Sequence, residues 1–343
     1  PNRRFVASRI LIREGRIDRI EAIDKPVDDI YILPGLVDSH IHIESSMLSP
    51  QQFSRIAMRH GTVATVSDPH EVANVLGREG IEFMIRDGNR SPLKFFFGVP
   101  SCVPATPFET SGAVLDSTEV GSLINDGRFK YLAEMMNFPG VINQDAEVMR
   151  KISFAQQAGR PVDGHAPGLR GEDLKKYISA GISTDHECGD YDEALEKIRA
   201  GMIIQIREGS AAGDFDALYR LIDEYPDQVM LCSDDRHPDD LIRGHIDRLI
   251  RKGQEYGLNF FNLLQAATWN PVKHYDLDVG LLQEGDPADF ILTDHPGKLN
   301  IKGVYIGGQQ VYDSEQEKVL FKPASDDHPN VMNAREVKEE DFK

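Results

Sequence analysis

The chain is 343 residues long, with 38 Lys and Arg against 56 Asp and Glu and a formal charge of −18. That charge disfavours a polyanion such as DNA or RNA, so no nucleic-acid partner is expected. Its 29 Gly and 19 Pro are too ordinary a share for a collagenous or disordered chain, and with no run of about 18 apolar residues no membrane-spanning helix is expected.

The opening residues, Pro1-Asn2-Arg3-Arg4-Phe5, hold no signal-peptide core and no Met, so the natural start is expected to lie upstream. Residues 5–23 alternate apolar and charged side chains around Glu14-Gly15, the pattern of a hairpin with one wet face. Beyond it, short apolar runs alternate with amphipathic stretches. The runs at 32–43, 62–67, 93–100, 131–136, 161–164, 182–185, 202–206 and 229–233 read as buried parallel strands. The stretches at 50–60, 71–86, 146–158, 171–180, 192–200 and 214–225 place apolar residues near i, i+3 and i+4 and read as helices. Eight such alternations predict an α/β fold, a (β/α)8 TIM-like barrel over residues 32–278. Short strands broken by Gly and Pro at 280–285, 288–293 and 304–311 are expected to join the N-terminal hairpin. The two chain ends, 1–31 and 279–313, would then build one small β-sandwich domain. Residues 314–343 read as a tail, or as a linker to an absent C-terminal domain. Three scattered cysteines, Cys102, Cys188 and Cys232, give no disulfide framework or thiolate site, so a reducing, cytoplasmic location is expected.

In such a barrel the functional side chains lie at the C-terminal strand ends. Strand one ends in His40-Ile41-His42, and residues i and i+2 of a strand share a face, so both imidazoles can reach one ion. Glu134 falls at the end of strand four, His165 at strand five, Asp185-His186-Glu187 at strand six and Asp234-Asp235 at strand eight. A lone His-x-His is more often incidental, and either later histidine alone reads as an ordinary core or surface residue. Their joint placement at one end of the barrel favours a metal site. Mixed N and O donors without clustered thiolates suit a catalytic Mn2+, Fe2+ or Zn2+ centre. Five or six protein ligands exceed the three of a mononuclear site, and a binuclear centre with a bridging carboxylate accounts for the excess.

The order His-x-His, carboxylate, His, His, Asp resembles the amidohydrolase superfamily, and the details resemble its adenine-deaminating branch. The matching stretches include Pro34-Gly35-Leu36-Val37-Asp38-Ser39-His40-Ile41-His42, Asp68-Pro69-His70-Glu71, Ala133-Glu134-Met135-Met136, Asp163-Gly164-His165-Ala166-Pro167-Gly168 and Cys232-Ser233-Asp234-Asp235-Arg236. The resemblance runs from about residue 30 to about residue 295. It implies hydrolytic deamination of adenine to hypoxanthine and ammonia, with Mn2+ or Fe2+ in a binuclear site and Zn2+ as an alternative. It assigns His40 and His42 to the first metal, His165 and His186 to the second, and Glu134 to the bridge that a carboxylated lysine makes in many relatives. Asp234 becomes the strand-eight ligand and proton shuttle, with Asp235 as its rival. Members of this branch continue into a further C-terminal domain, and the sequence, ending at Lys343, is expected to be either a piece of such a protein or a shorter variant.

On that reading an activated water attacks adenine C6, Asp234 accepts its proton, and ammonia leaves after proton return. A protonated group must serve the ring nitrogen N1, and Glu187, Glu71 or His70 could do so. Each could equally orient a metal ligand, and Glu187, beside His186 on a strand, is expected to face away from it. Arg207-Glu208 and Ser101-Cys102 are candidates for purine binding, with a salt bridge or loop packing as the plain alternative. Loop 104–113 is a candidate lid. Most of His60, His237, His245, His274, His295 and His328 are expected on surfaces or helices. The expected partner is a purine, with a homo-oligomer, first of all a dimer, as the assembly. Two other functions stay open: a cyclic-amide hydrolase of the dihydroorotase or hydantoinase kind, and a catalytically dead scaffold. The filled ligand positions speak against the scaffold.

Overall fold

The first of the expected apolar runs is not one strand. In the computed structural model, which describes residues 3–26, 28–106, 108–324, 329 and 336–342, it divides at Gly35. The hairpin β1 (Ser8–Arg13) and β2 (Arg16–Ala22) precedes it, turning at Glu14-Gly15 as expected. Then β3 (Tyr31–Pro34) and β4 (Leu36–His42) go to different sheets. A Cβ at Gly35 would lie 2.3 Å from Val63 Cγ1, so only glycine fits where the chain crosses β5.

The remaining parallel strands are β5 (Thr62–Ser67), β6 (Lys94–Phe97), β7 (Leu132–Met135), β8 (Val162–Gly164), β9 (Thr184–Asp185), β10 (Ile203–Arg207) and β11 (Val229–Cys232), followed after Ser233 by the short β12 (Asp234–Asp235). β4 pairs with β5 and β5 with β6. A Val99–Leu132 bridge leads on to β7, which pairs with β8, and a Val162–Ile182 bridge leads on toward β9. β9 pairs with β10 and β10 with β11, while β12 pairs back onto β4. Every one of these pairings is parallel, and the order returns to the strand from which it began. The fold is α/β.

Apart from β6, which is only half-buried, these strands are largely buried on both faces, as their near-continuous apolar sequences require. Several polar groups among them are internally paired. Asp163 accepts from Thr184 Oγ1 at 2.9 Å and from Tyr275 OH at 2.7 Å, and Gln205 Nε2 donates to Ser39 O at 2.8 Å.

The connections differ from expectation where local geometry interrupts a periodic pattern. The stretch 71–86 forms two helices, His70–Leu76 and Arg78–Gly88, broken at Gly77, whose φ of 58° and ψ of −140° no helix contains. The stretch 214–225 likewise holds two single-turn helices, Phe215–Leu218 and Leu221–Glu224. Helix Ser117–Asn125 was not expected, although Asp116 caps it by accepting from Thr118 N and Glu119 N.

The C-terminal strands are β13 (Phe290–Thr293), β14 (Ile301–Ile306), β15 (Gln309–Asp313) and β16 (Lys318–Val319). They form an antiparallel sheet in the order β16-β15-β14-β13-β3, so a strand from before β4 completes a sheet from after the last helix. Residues 280–285 form no strand, and 304–311 spans a tight turn at Gly307-Gly308 between β14 and β15. No helix among the described residues is long and apolar enough to cross a membrane.

Candidate metal centre

Each ligand candidate stands at or near the end of a strand. His40 and His42 close β4, Glu134 lies in β7, His165 and His186 follow β8 and β9, and Asp234 opens β12. They converge from widely separated sequence positions into one buried cluster.

Glu134 is at its centre. Its Oε1 lies 3.2 Å from His42 Nε2, and its Oε2 lies 3.3 Å from His186 Nε2 and 2.6 Å from His165 Nδ1. Asp234 Oδ1 is 3.3 Å from His42 Nε2 and 3.5 Å from His40 Nε2, and the two imidazole nitrogens are 3.2 Å apart. Atoms that share an ion at about 2.0–2.2 Å sit about 3.0–3.6 Å from one another. Most of these separations fall in that range, so the donor set fits divalent metal.

The electrostatics agree with a site made for positive charge. Burial opposes ionisation of Glu134, yet His165, His186 and His42 hold its carboxyl well below the usual carboxylate range. Burial likewise works against Asp234, but hydrogen bonds with His40 and His42 keep it ionised. Burial would lower His186; Glu134, Asp234 and Glu187 instead push it up to about 9. His42 rises for the same reason, with Glu71 its largest charged partner, whereas burial and neighbouring His186 lower His40. Ions entering the site would displace protons from these imidazoles.

The shell around the cluster is specific. Asp234 has a φ of 51°, a left-handed conformation that Asp tolerates better than most residues. The adjoining Ser233 is tied to β4, its backbone N donating to Asp38 Oδ1 at 3.1 Å, and Asp38 Oδ1 also accepts from His40 N at 3.3 Å. His245 Nε2 lies 2.7 Å from Asp38 Oδ2, and its Nδ1 lies 2.7 Å from Thr62 Oγ1. His245, at the N-cap of helix Ile246–Glu255, is therefore a fully buried part of this tie and an exception among the histidines expected mostly on surfaces or helices. On the other side, Tyr177 OH accepts from His165 N at 3.0 Å and donates to Met135 O at 2.8 Å, joining the His165 loop to the Glu134 strand. Ser101 Oγ donates to Glu134 O at 2.5 Å and lies 3.2 Å from the buried Cys102 thiol.

His70 and Glu71 start the helix that follows β5, beside the cluster. His70 Nδ1 is 3.0 Å from Asp68 Oδ2 and 3.3 Å from Glu134 Oε1, and Glu71 Oε2 is 3.5 Å from His42 Nδ1. Burial would lower His70, but Asp68 pushes it up to about 10. Asp68 was missed as a candidate, although its position at the end of β5 obeys the strand-end rule.

One expectation fails. Glu187 does not face away: β9 ends at Asp185, strand alternation ends with it, and Glu187 Oε1 lies 3.6 Å from His186 Nε2. Arg207 grips Glu187, with NH2 to Oε2 at 2.7 Å, and its NH1 also reaches Asp234 Oδ2. For Glu208, read either as a purine contact or as a salt-bridge partner, the structure shows an ion pair with Lys252 Nζ at 3.0 Å. Asp234 lies against both His40 and His42, whereas Asp235 accepts from Ser45 Oγ at 2.5 Å and is grouped with His42 and Glu71. Of the remaining histidines, His328 lies outside the described residues.

The amidohydrolase family model matches residues 31–311. An adenine deaminase of Methanosarcina mazei is 57% identical over all 343 residues, which make up 61% of that protein, so the chain spans somewhat under two thirds of its relative's length. Among solved structures, a 5-methylcytosine deaminase from Klebsiella pneumoniae superposes with a TM-score of 0.64 at 13% identity, covering 96% of this chain and 97% of that one. A beta-aspartyl dipeptidase from Fervidobacterium islandicum gives a TM-score of 0.63 at 18% identity, covering 89% and 92%. At such identities these two establish a common fold.

Proposed function

The chain belongs to the amidohydrolase family, and from that premise we propose that it hydrolyses adenine to hypoxanthine and ammonia. The observation that carries this reading is 57% identity over the whole chain to a protein named adenine deaminase. The strand-end cluster supports it with a donor set suited to metal-assisted hydrolysis.

We read the eight parallel strands as a closed (β/α)8 barrel, with the hairpin β1–β2 and the antiparallel sheet forming the small β-domain from both chain ends. His40, His42 and Asp234 would hold one divalent ion, His165 and His186 the other, and Glu134 both, with Mn2+ or Fe2+ as the metals. When bound, the pair supplies a water acidic enough to act as a nucleophile near neutral pH.

The chain's own groups do the rest. Asp234, kept ionised by His40 and His42, accepts a proton from the attacking water and returns it to the exocyclic nitrogen, so that ammonia is the leaving group. Arg207, bonded to both Glu187 and Asp234, orients that carboxylate. The His70-Glu71 pair beside the cluster gives a proton to N1 and regains one from the C6 hydroxyl as the carbonyl forms, so both protons of the water are accounted for. Ser101 supports the main chain of Glu134 and is assigned no contact with the purine. A cytoplasmic homodimer remains our expectation for location and assembly, and all three cysteines are buried and unpaired.

The test is adenine turnover by Mn2+-loaded protein, followed by ultraviolet absorbance and ammonia release together. Conversion to hypoxanthine with one ammonia per purine is expected. Ring opening of a cyclic amide without ammonia, and no action on adenine, would place the chain with the dihydroorotase-like enzymes instead.

A further inference from the structure

Behind the second half of the centre lies a buried ionic node that the proposed chemistry does not use. Helix Tyr191–Arg199 begins at Asp190, whose side chain accepts from Glu193 N, and carries Glu193 and Lys197 one turn apart. Both side chains are buried, Lys197 completely. Lys197 Nζ donates to Ala166 O at 2.8 Å, to Glu193 Oε1 at 2.6 Å and to Asp185 Oδ2, which satisfies its three protons.

The two carboxylates are in turn occupied by backbone amides. Asp185 Oδ1 accepts from Ala166 N at 3.1 Å and Glu187 N at 3.2 Å. Glu193 accepts from Gly168 N at 2.8 Å through Oε1 and from Gly189 N at 3.2 Å through Oε2. These amides belong to two segments, 165–168 and 186–189, which carry His165 and His186. The node bonds to neither imidazole. It fixes the chain on which each is mounted.

A buried cation with two buried carboxylates is a poor source of stability, since well-packed apolar side chains of the same volume often serve as well. An apolar filling could not hold backbone groups of two loops at set distances. A metal site, by contrast, tolerates only about 0.2 Å of error in its ligand distances. The first half of the centre has a separate tie, Asp38 with Ser233 and His40, which shares no residue with this node.

We infer that Lys197, with Asp185 and Glu193, is the positioning device that sets the spacing of His165 and His186 and thereby the affinity for the second ion alone. The inference rests on the metal-pair reading above. It assigns this network a role in the site from outside the ligand set.

The test is Mn2+ binding to the purified chain, with free Mn2+ followed by electron paramagnetic resonance and bound metal by elemental analysis. Lys197→Met should weaken one of two bound ions by about 10–100-fold, the range seen when groups behind a ligand are removed, and leave the other unchanged. In a His165→Ala background, which retains the first half only, adding Lys197→Met should change nothing further. Glu193→Gln keeps the Asp185–Lys197 pair and so the fold, and should show the same selectivity more weakly; it decides the matter if Lys197→Met does not fold. Equal weakening of both ions, or an unchanged pair in a folded variant, would overturn the inference. Wild-type chain binding fewer than two ions would instead defeat the metal-pair reading on which it stands.

Discussion

Tyr177→Phe removes one oxygen and leaves the ring. Tyr177 is fully buried, and its hydroxyl lies between His165 N, at 3.0 Å, and Met135 O, at 2.8 Å. The substitution strands a buried carbonyl and a partly buried amide. Leaving a buried polar group without a partner costs about 1–3 kcal/mol, and the more exposed amide adds less, so a loss of about 2–4 kcal/mol is expected. Against a total stability of about 5–15 kcal/mol, that is a large fraction yet compatible with a folded chain. The loss should be local in its consequence, because Met135 adjoins Glu134 and the amide belongs to His165 itself. Urea unfolding of metal-free wild type and variant measures the stability change, and Mn2+ titration of both measures the effect on the centre. A loss below about 1 kcal/mol, with unaltered Mn2+ binding, would refute the view that this hydroxyl holds the two segments together.

Asp234→Asn should abolish deamination while leaving the far-ultraviolet circular dichroism spectrum unchanged, since the residue packs in no apolar core; a variant with near-normal turnover in Mn2+ would remove Asp234 from the proton path. Glu134→Gln keeps the shape but not the charge that both halves of the centre share, and should bind one Mn2+ where the wild type binds two. Two ions in the variant, by elemental analysis, would count against a bridge. Metal-free protein should lose stability as pH rises. His186 is raised from 6.5 to about 9, so its contribution is complete below 6.5 and lost as pH passes through 9, and His42 shifts in the same direction. Glu134 and Asp234, both lowered, stay ionised across this window and add no slope. A melting temperature of metal-free protein that rose between pH 6.5 and 9 would contradict this, while Mn2+ binding should strengthen over the same interval.

The strand ends were legible in the sequence because fully buried parallel strands leave unbroken apolar runs, and the polar residue that ends each run marks the functional face. His40, His42, Glu134, His165, His186 and Asp234 meet in the structure for that reason. Glu187 was misread because its strand is only two residues long, too short for alternation to govern the next side chain. The division of the first run at Gly35 had a visible sign in Pro34-Gly35, but its cause, the approach of Val63, is a tertiary contact. Helix breaks such as Gly77 cost little in apolar periodicity and so left the pattern intact. The pairing of Glu208 with Lys252, the burial of His245 and the node at Lys197 depend on which elements pack together. No local spacing encodes them.

Crystals of the Mn2+-loaded chain, measured on either side of the manganese absorption edge, test the central claim most directly. Two anomalous peaks about 3.5–4 Å apart are expected, one among His40, His42 and Asp234, the other between His165 and His186, with Glu134 touching both. A single peak, or manganese bound elsewhere while these side chains keep their mutual contacts, would contradict it.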